Sequence, residues 1–184
     1  MNNYFLLHGS FGSPFSNWIP YLRREIEKQN GIVYTPDMPT GVGLQTYENW
    51  ERVLLVYADC GLLNENTIIF AHSIAPVFIS KFLVKNKLKV RRLVFVYGFN
   101  QYFGINEEYD TVNESMYFID LAAIKNYCSD IVCFYTDNDP YVKMTAEKEF
   151  ADTVSTTQIM IPSGGHLNSE SGYEEFSELL PFLE

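Results

Sequence analysis

The chain has 184 residues, 47% of them hydrophobic, and carries a formal net charge of −10 with a pI near 4.7. A length of that order buries about 70% of the unfolded chain's surface, so a single domain over residues 1–184 with one sizeable core is expected. The acidic balance argues against nucleic acid and against an anionic membrane, both of which are gripped by cationic side chains, and no apolar run has transmembrane length.

Tyr4-Phe5-Leu6-Leu7-His8 reads as a buried first strand that ends in the glycine-rich turn Gly9-Ser10-Phe11-Gly12-Ser13-Pro14. No basic and apolar leader precedes it, so no signal peptide is visible. From Asn17 onward Trp18, Tyr21, Leu22 and Ile26 recur at helical spacing, and Asn30-Gly31 closes that helix. Ile32-Val33-Tyr34-Thr35 is a second strand. After a loop from Pro36 to Gly43, a helix is expected from about Thr46 to Leu62, with Tyr47, Trp50, Val53, Leu54 and Tyr57 on its apolar stripe.

The next stretch, Thr67 to Lys81, is the most informative. Thr67, Ile68, Ile69 and Phe70 form a short strand of the kind buried on both faces. Ala71-His72-Ser73-Ile74-Ala75 then has the pattern small-x-Ser-x-small, and Val77, Phe78, Ile79, Phe82 and Leu83 continue at helical spacing. Such a strand–turn–helix lifts a serine hydroxyl above the sheet edge beside the free N–H groups of the first helical turn, which a weak nucleophile requires. Pro76 is tolerated there because first-turn N–H groups have no intrahelical acceptor. Taken alone, Ser73 serves equally well as a helix N-cap.

Arg92-Leu93-Val94-Phe95-Val96-Tyr97 is a fourth strand, Asp130-Ile131-Val132-Cys133-Phe134-Tyr135 a fifth and Gln158-Ile159-Met160-Ile161 a sixth. An acidic, aromatic-rich stretch and a helix near Glu114 to Asn126 separate the fourth from the fifth, and a last helix is expected from about Tyr173 to Leu183. The alternation predicts an α/β fold, a doubly wound, mostly parallel six-stranded sheet with helices on both faces. In such folds ligands bind beyond the carboxyl ends of the strands.

The loop after the fifth strand reads Thr136-Asp137-Asn138-Asp139-Pro140-Tyr141-Val142, and that after the sixth Pro162-Ser163-Gly164-Gly165-His166-Leu167-Asn168. Serine, acid and histidine thus follow three strands in the order used by α/β-hydrolases. Ser73 is the expected nucleophile and His166 the base. Asp137 and Asp139 both follow the fifth strand; Asp139 is preferred, because Pro140 fixes the turn and biases the residue before it away from helical angles. The N–H groups of Ser10 and Ile74 are the expected oxyanion donors, with Phe11 N–H the fallback. His8, His72 and His166 could in principle ligate zinc, but their spacings match no metal motif, and no metal or cofactor is expected. Cys60, Cys128 and Cys133, an odd number without metal-type spacing, imply three free thiols and a cytoplasmic protein.

Four segments, HGSFGSPFSNWIPYL (His8 to Leu22), AHSIA (Ala71 to Ala75), TDNDPYV (Thr136 to Val142) and SGGHLN (Ser163 to Asn168), resemble the small α/β-hydrolase-fold serine hydrolases related to retinoblastoma-binding protein 9 and its bacterial YdeN-like relatives. The resemblance implies a minimal α/β-hydrolase fold with little or no cap and a triad of Ser73, Asp139 and His166. Where that family usually has glycine before the first histidine of the elbow, this chain has Ala71. The expectation is a carboxylesterase-type serine hydrolase acting on a small-molecule ester, thioester or related acyl compound, without nucleic-acid or membrane partners. Its expected pocket is aromatic, drawn from Phe11, Trp18, Phe99, Tyr102, Phe103 and Tyr141. Tyr97 to Asn113 is the stretch long enough for a partial lid. The alternative is a binding protein on a hydrolase scaffold.

Overall fold

In the computed structural model, which describes residues 2–102, 106–118 and 120–184, six strands form one open sheet in the order β2-β1-β3-β4-β5-β6. They are β1 (Asn3–Leu7), β2 (Ile32–Tyr34), β3 (Thr67–His72), β4 (Arg92–Val96), β5 (Ile131–Thr136) and β6 (Thr157–Ile161). Every pairing is parallel. The central strand β3 is buried along its whole length, while the edge strand β6 is mostly exposed. β-branched and aromatic residues on both faces of a strand have nowhere else to go, which is why β1, β3 and β4 stack into the middle of the sheet.

Among the described residues five α-helices accompany the sheet: α1 (Ile19–Lys28), α2 (Tyr47–Asp59), α3 (Ala75–Asn86), α4 (Glu107–Asn113) and α5 (Met144–Val154). The β1-to-β2 crossover runs opposite to all later ones, so right-handed connections put α1 on one face and α2, α3 and α5 on the other. The contacts agree. α1 packs on the 3-10 turn Ser177–Phe182, α3 and α5 share the 3-10 turn Leu121–Asn126, and Trp50 of α2 meets Phe78 of α3 edge to face. Strand order reverses between β1 and β3, so the loops after these two strands diverge and leave a crevice at the sheet's carboxyl edge.

Several expected helices are shorter. The one expected from Glu114 to Asn126 is two 3-10 turns, Glu114–Met116 and Leu121–Asn126, and the one expected from Tyr173 to Leu183 is only the turn Ser177–Phe182, which contains Pro181. A proline inside a helix removes a donor and crowds the preceding turn, so the last segment stays 3-10. The first helix begins at Ile19 instead of Asn17, whose φ of 56° is left-handed. The stretch from Tyr97 to Asn113 holds α4, and its residues 103–105, with Phe103, lie outside the described residues.

One buried charge stands out on α5. Glu147 is 1% exposed, its Oε2 accepts the N–H of Thr136 at the end of β5 at 3.1 Å, and its Oε1 has no partner among the described residues. Burial pushes this carboxyl up from 4.5 to about 8. The folded state therefore holds a proton that the unfolded state has released, and stability falls as pH rises from about 4.5 to about 8. Glu147→Gln keeps the acceptor for Thr136 and removes the charge. Relative to wild type it should gain at least about 4 °C in Tm at pH 9 and little at pH 4, measured by thermal unfolding; a gain independent of pH would overturn the assignment.

Candidate active site

β3 delivers Ser73 to the sheet's carboxyl edge, and the chain reverses at Ser73-Ile74 before α3 starts at Ala75. Ser73 has φ of 63°, a conformation that non-glycine residues adopt only when their surroundings impose it. Here its N–H donates to Val96 O of β4 at 2.9 Å, and fully buried Ala71 and Ala75 flank it. Ala71 lies in the strand, in register with Leu7 and Phe95, and does not share the positive φ, so its backbone does not require glycine.

The loop after β1 closes on the serine. A methyl group built on Gly9 would come within 2.6 Å of Ser73 Cβ, so only glycine lets the two loops approach this closely. His8 shapes this loop: Nδ1–H donates to Gly9 O at 2.9 Å, and Nε2 accepts from Met38 N–H at 3.0 Å. Burial lowers its pKa, in keeping with a neutral ring that donates on one side and accepts on the other.

Ser73 Oγ lies 3.2 Å from His166 Nε2, and His166 Nδ1 lies 2.5 Å from Asp139 Oδ2. With Nδ1 donating to the carboxylate, Nε2 is free to accept the serine proton. The Asp139 side chain is itself fully buried, and its Oδ1 accepts the N–H groups of Tyr141 and Val142 at 2.5 and 2.8 Å. Asp137 does other work. Its Oδ1 accepts Ser163 N–H at 2.7 Å, and Asn138 Oδ1 accepts Gly165 N–H at 2.8 Å, so the two residues clamp the β6 loop to the β5 loop.

His72 supports His166 from below. Its Nε2–H donates to the His166 carbonyl at 3.1 Å, and its Nδ1 faces Asn17 Nδ2 at 3.5 Å. Complete burial, with His166 nearby, pushes the ring down to about 3, so it remains neutral at any working pH. All six imidazole nitrogens of His8, His72 and His166 thus face protein partners. No grouping among the described residues has the makings of a metal site, and no helix among them is long and apolar enough to cross a membrane.

The profile of the serine hydrolase family matches residues 4–184. The chain belongs to this family. Among solved structures, the ydeN gene product from B. subtilis superposes with a TM-score of 0.86 at 21% identity, covering 100% of this chain and 97% of that one. A YdeN-like hydrolase from Pectobacterium atrosepticum gives 0.68 at 13% identity, covering 99% and 89%. Est1E from Butyrivibrio proteoclasticus, solved with ferulic acid bound, gives 0.70 at 14% identity, covering 98% and 85%. At these identities the structures speak for a shared fold. No sequence among curated proteins matches significantly.

In this serine hydrolase Ser73 and His166 open into a cleft of about 130 Å³. Of the aromatic residues expected there, Phe99 and Tyr141 line it. Phe11 stands behind the lining, its ring edge-on to Tyr109 at 5.1 Å. Trp18 does not reach the cleft: it caps α1 just before Ile19 and is fully buried, edge-on to the His72 ring at 5.9 Å. Tyr102 lies elsewhere, against Tyr117 and beside an acidic hollow. Tyr109 and the polar residues Asn17, Asn106, Asn168 and Glu170 line the cleft but were not foreseen. Of these, Asn17 and Asn168 carried a signal, as members of the HGSFGSPFSNWIPYL and SGGHLN segments.

The expected oxyanion donors can be compared with their rival. Phe11 N–H donates to Gln45 Oε1 at 3.2 Å and is therefore engaged. The N–H groups of Ser10 and Ile74 have no acceptor among the described residues. Gly9→Ala should spread the two loops and lower kcat on p-nitrophenyl acetate by about 100-fold, with thermal unfolding reporting that the fold is kept; a folded variant with wild-type kcat would show that the close approach is dispensable.

Proposed function

We propose that this serine hydrolase cleaves small carboxylic esters, or related thioesters, through an acyl-enzyme, with Ser73, His166 and Asp139 as its triad. The observation that carries this reading is the unbroken chain from Ser73 Oγ through both ring nitrogens of His166 to a buried carboxylate. His166 Nε2 takes the hydroxyl proton as Oγ attacks the acyl carbon, then gives it to the departing alcohol. Asp139 holds the imidazole tautomer and stabilises the imidazolium. The Ser10 and Ile74 N–H groups, being unengaged, receive the oxyanion. Water then repeats the sequence on the acyl-enzyme, releasing the acid and restoring Ser73.

The charge of the cleft narrows the substrate. Its described lining includes Glu170 and no lysine or arginine, so nothing there would pair with a carboxylate on the substrate. Three free cysteines, two of them buried, suit a reducing compartment such as the cytoplasm.

A fluorophosphonate should label Ser73 alone and fail on Ser73→Ala. Labelling that persists in that variant would sink the assignment of Ser73, and no labelling of the wild type would favour a scaffold used only for binding. Asp139→Asn should lower kcat by roughly 10³- to 10⁴-fold through loss of the tautomer. Asp137→Asn, which loosens only the loop clamp, should cost far less. An Asp139→Asn enzyme near wild type would move the triad to another acid.

A further inference from the structure

The side of the cleft next to His166 is a continuous aromatic wall. The Tyr141 ring stands edge-on to His166 at 5.3 Å, Tyr109 stacks on Tyr141 at 6.3 Å, and Phe11 meets Tyr109 edge-on at 5.1 Å. These three rings come from three separate segments: the β5 loop, α4 and the β1 loop. The middle ring is the one on α4, and α4 is fastened at both ends. Asn106 caps it, its Oδ1 accepting from Glu108 and Tyr109 N–H at 3.0 and 3.4 Å. At the other end buried Asn113 accepts from Ser10 Oγ at 2.7 Å and from Gln45 Nε2 at 2.8 Å. The ring of Tyr109 is thus built into the cleft wall, and α4 is bonded to the same loop that carries the proposed oxyanion donor.

We propose that Tyr109 is the specificity-determining residue of this hydrolase, limiting the ester chain beside Ser73 to a few carbons. The inference rests on Ser73 being the nucleophile. Its measure is volume: a cavity of about 150 Å³ holds one benzene ring, and the cleft here has about 130 Å³. A chain of up to about four carbons fits that space, and a longer one must pass along the rings of Tyr141 and Tyr109, which are 40% and 36% exposed. Tyr109 is the wall residue to truncate: it lines the cleft, which Phe11 does not, and it has no ring contact with His166, whereas the Tyr141 ring rests on His166 and its hydroxyl donates to Glu170 at 2.8 Å.

Two substrate series test this, p-nitrophenyl esters from acetate to octanoate and acetate esters of alcohols from ethanol to octanol. The wild type should prefer the short members of at least one series by 10-fold or more in kcat/KM. In that series Tyr109→Ala should raise the long-to-short ratio at least 10-fold, the responding series identifying the acyl or the alcohol side, while Tyr109→Phe, which keeps the ring, keeps the wild-type ratio. Phe11→Ala, which removes the ring behind Tyr109, should shift the same series in the same direction. A wild type that hydrolyses both series without a length preference, or a ratio unmoved by Tyr109→Ala and Phe11→Ala in folded enzyme, would overturn the assignment and leave the nucleophile intact. No hydrolysis of either series, together with no fluorophosphonate labelling, would instead remove the proposed function itself.

Discussion

The left-handed backbone of Ser73 is the constraint on which the site depends. A serine leaves that conformation as soon as it is free to, since every other allowed region costs it less. It is kept there by the sheet: β3 is buried on both faces, the Ser73 N–H is tied to β4, and α3 begins at once with a proline-containing turn. The sheet order then brings Gly9 against it. Because β1 lies between β2 and β3, its outgoing loop and that of β3 part at the point where the serine emerges, and the absence of a side chain at Gly9 lets the gap close to contact.

The other half of the site is assembled differently, by hydrogen bonds between loops and not by packing within the sheet. Three consecutive side chains, Asp137, Asn138 and Asp139, each reach the segment that follows β6. Two of them grip its backbone, and the third grips the imidazole. From beneath, His72 bonds the His166 carbonyl, and Thr136 Oγ1 bonds that of Gly165 at 2.8 Å. A charged His72 would carry a positive ring about 5.1 Å from the His166 ring, the proposed base, so its burial as a neutral group suits that proposed role.

Sequence patterning reveals most of this frame, because strands buried on both faces are written as unbroken apolar runs and the strand-end loops hold the polar residues. It locates the six strands and the order serine, acid, histidine. It also separates Asp139 from Asp137, through the backbone restriction that Pro140 imposes. What it cannot read is direction. Trp18 opens a helical spacing and follows a glycine-rich loop, and only the fold decides that its ring is buried against His72 and not in the cleft. Tyr109 lies in an acidic run where a seven-residue helix is too short to show a period, so nothing marks it as facing the site. The breaks in the segments Glu114–Asn126 and Tyr173–Leu183 are likewise set by tertiary packing and by Pro181 more than by helical propensity.

The two side chains proposed to react are therefore mounted on foundations of unequal strength. Ser73 stands on the fully buried centre of the sheet, whereas His166 follows β6, an edge strand with a single neighbour and a mostly exposed surface. Local opening draws first on the segments that bury least, and β6 with its loop is such a segment. Its fraying would carry the imidazole away while β1, β3 and β4 remained paired around an intact serine.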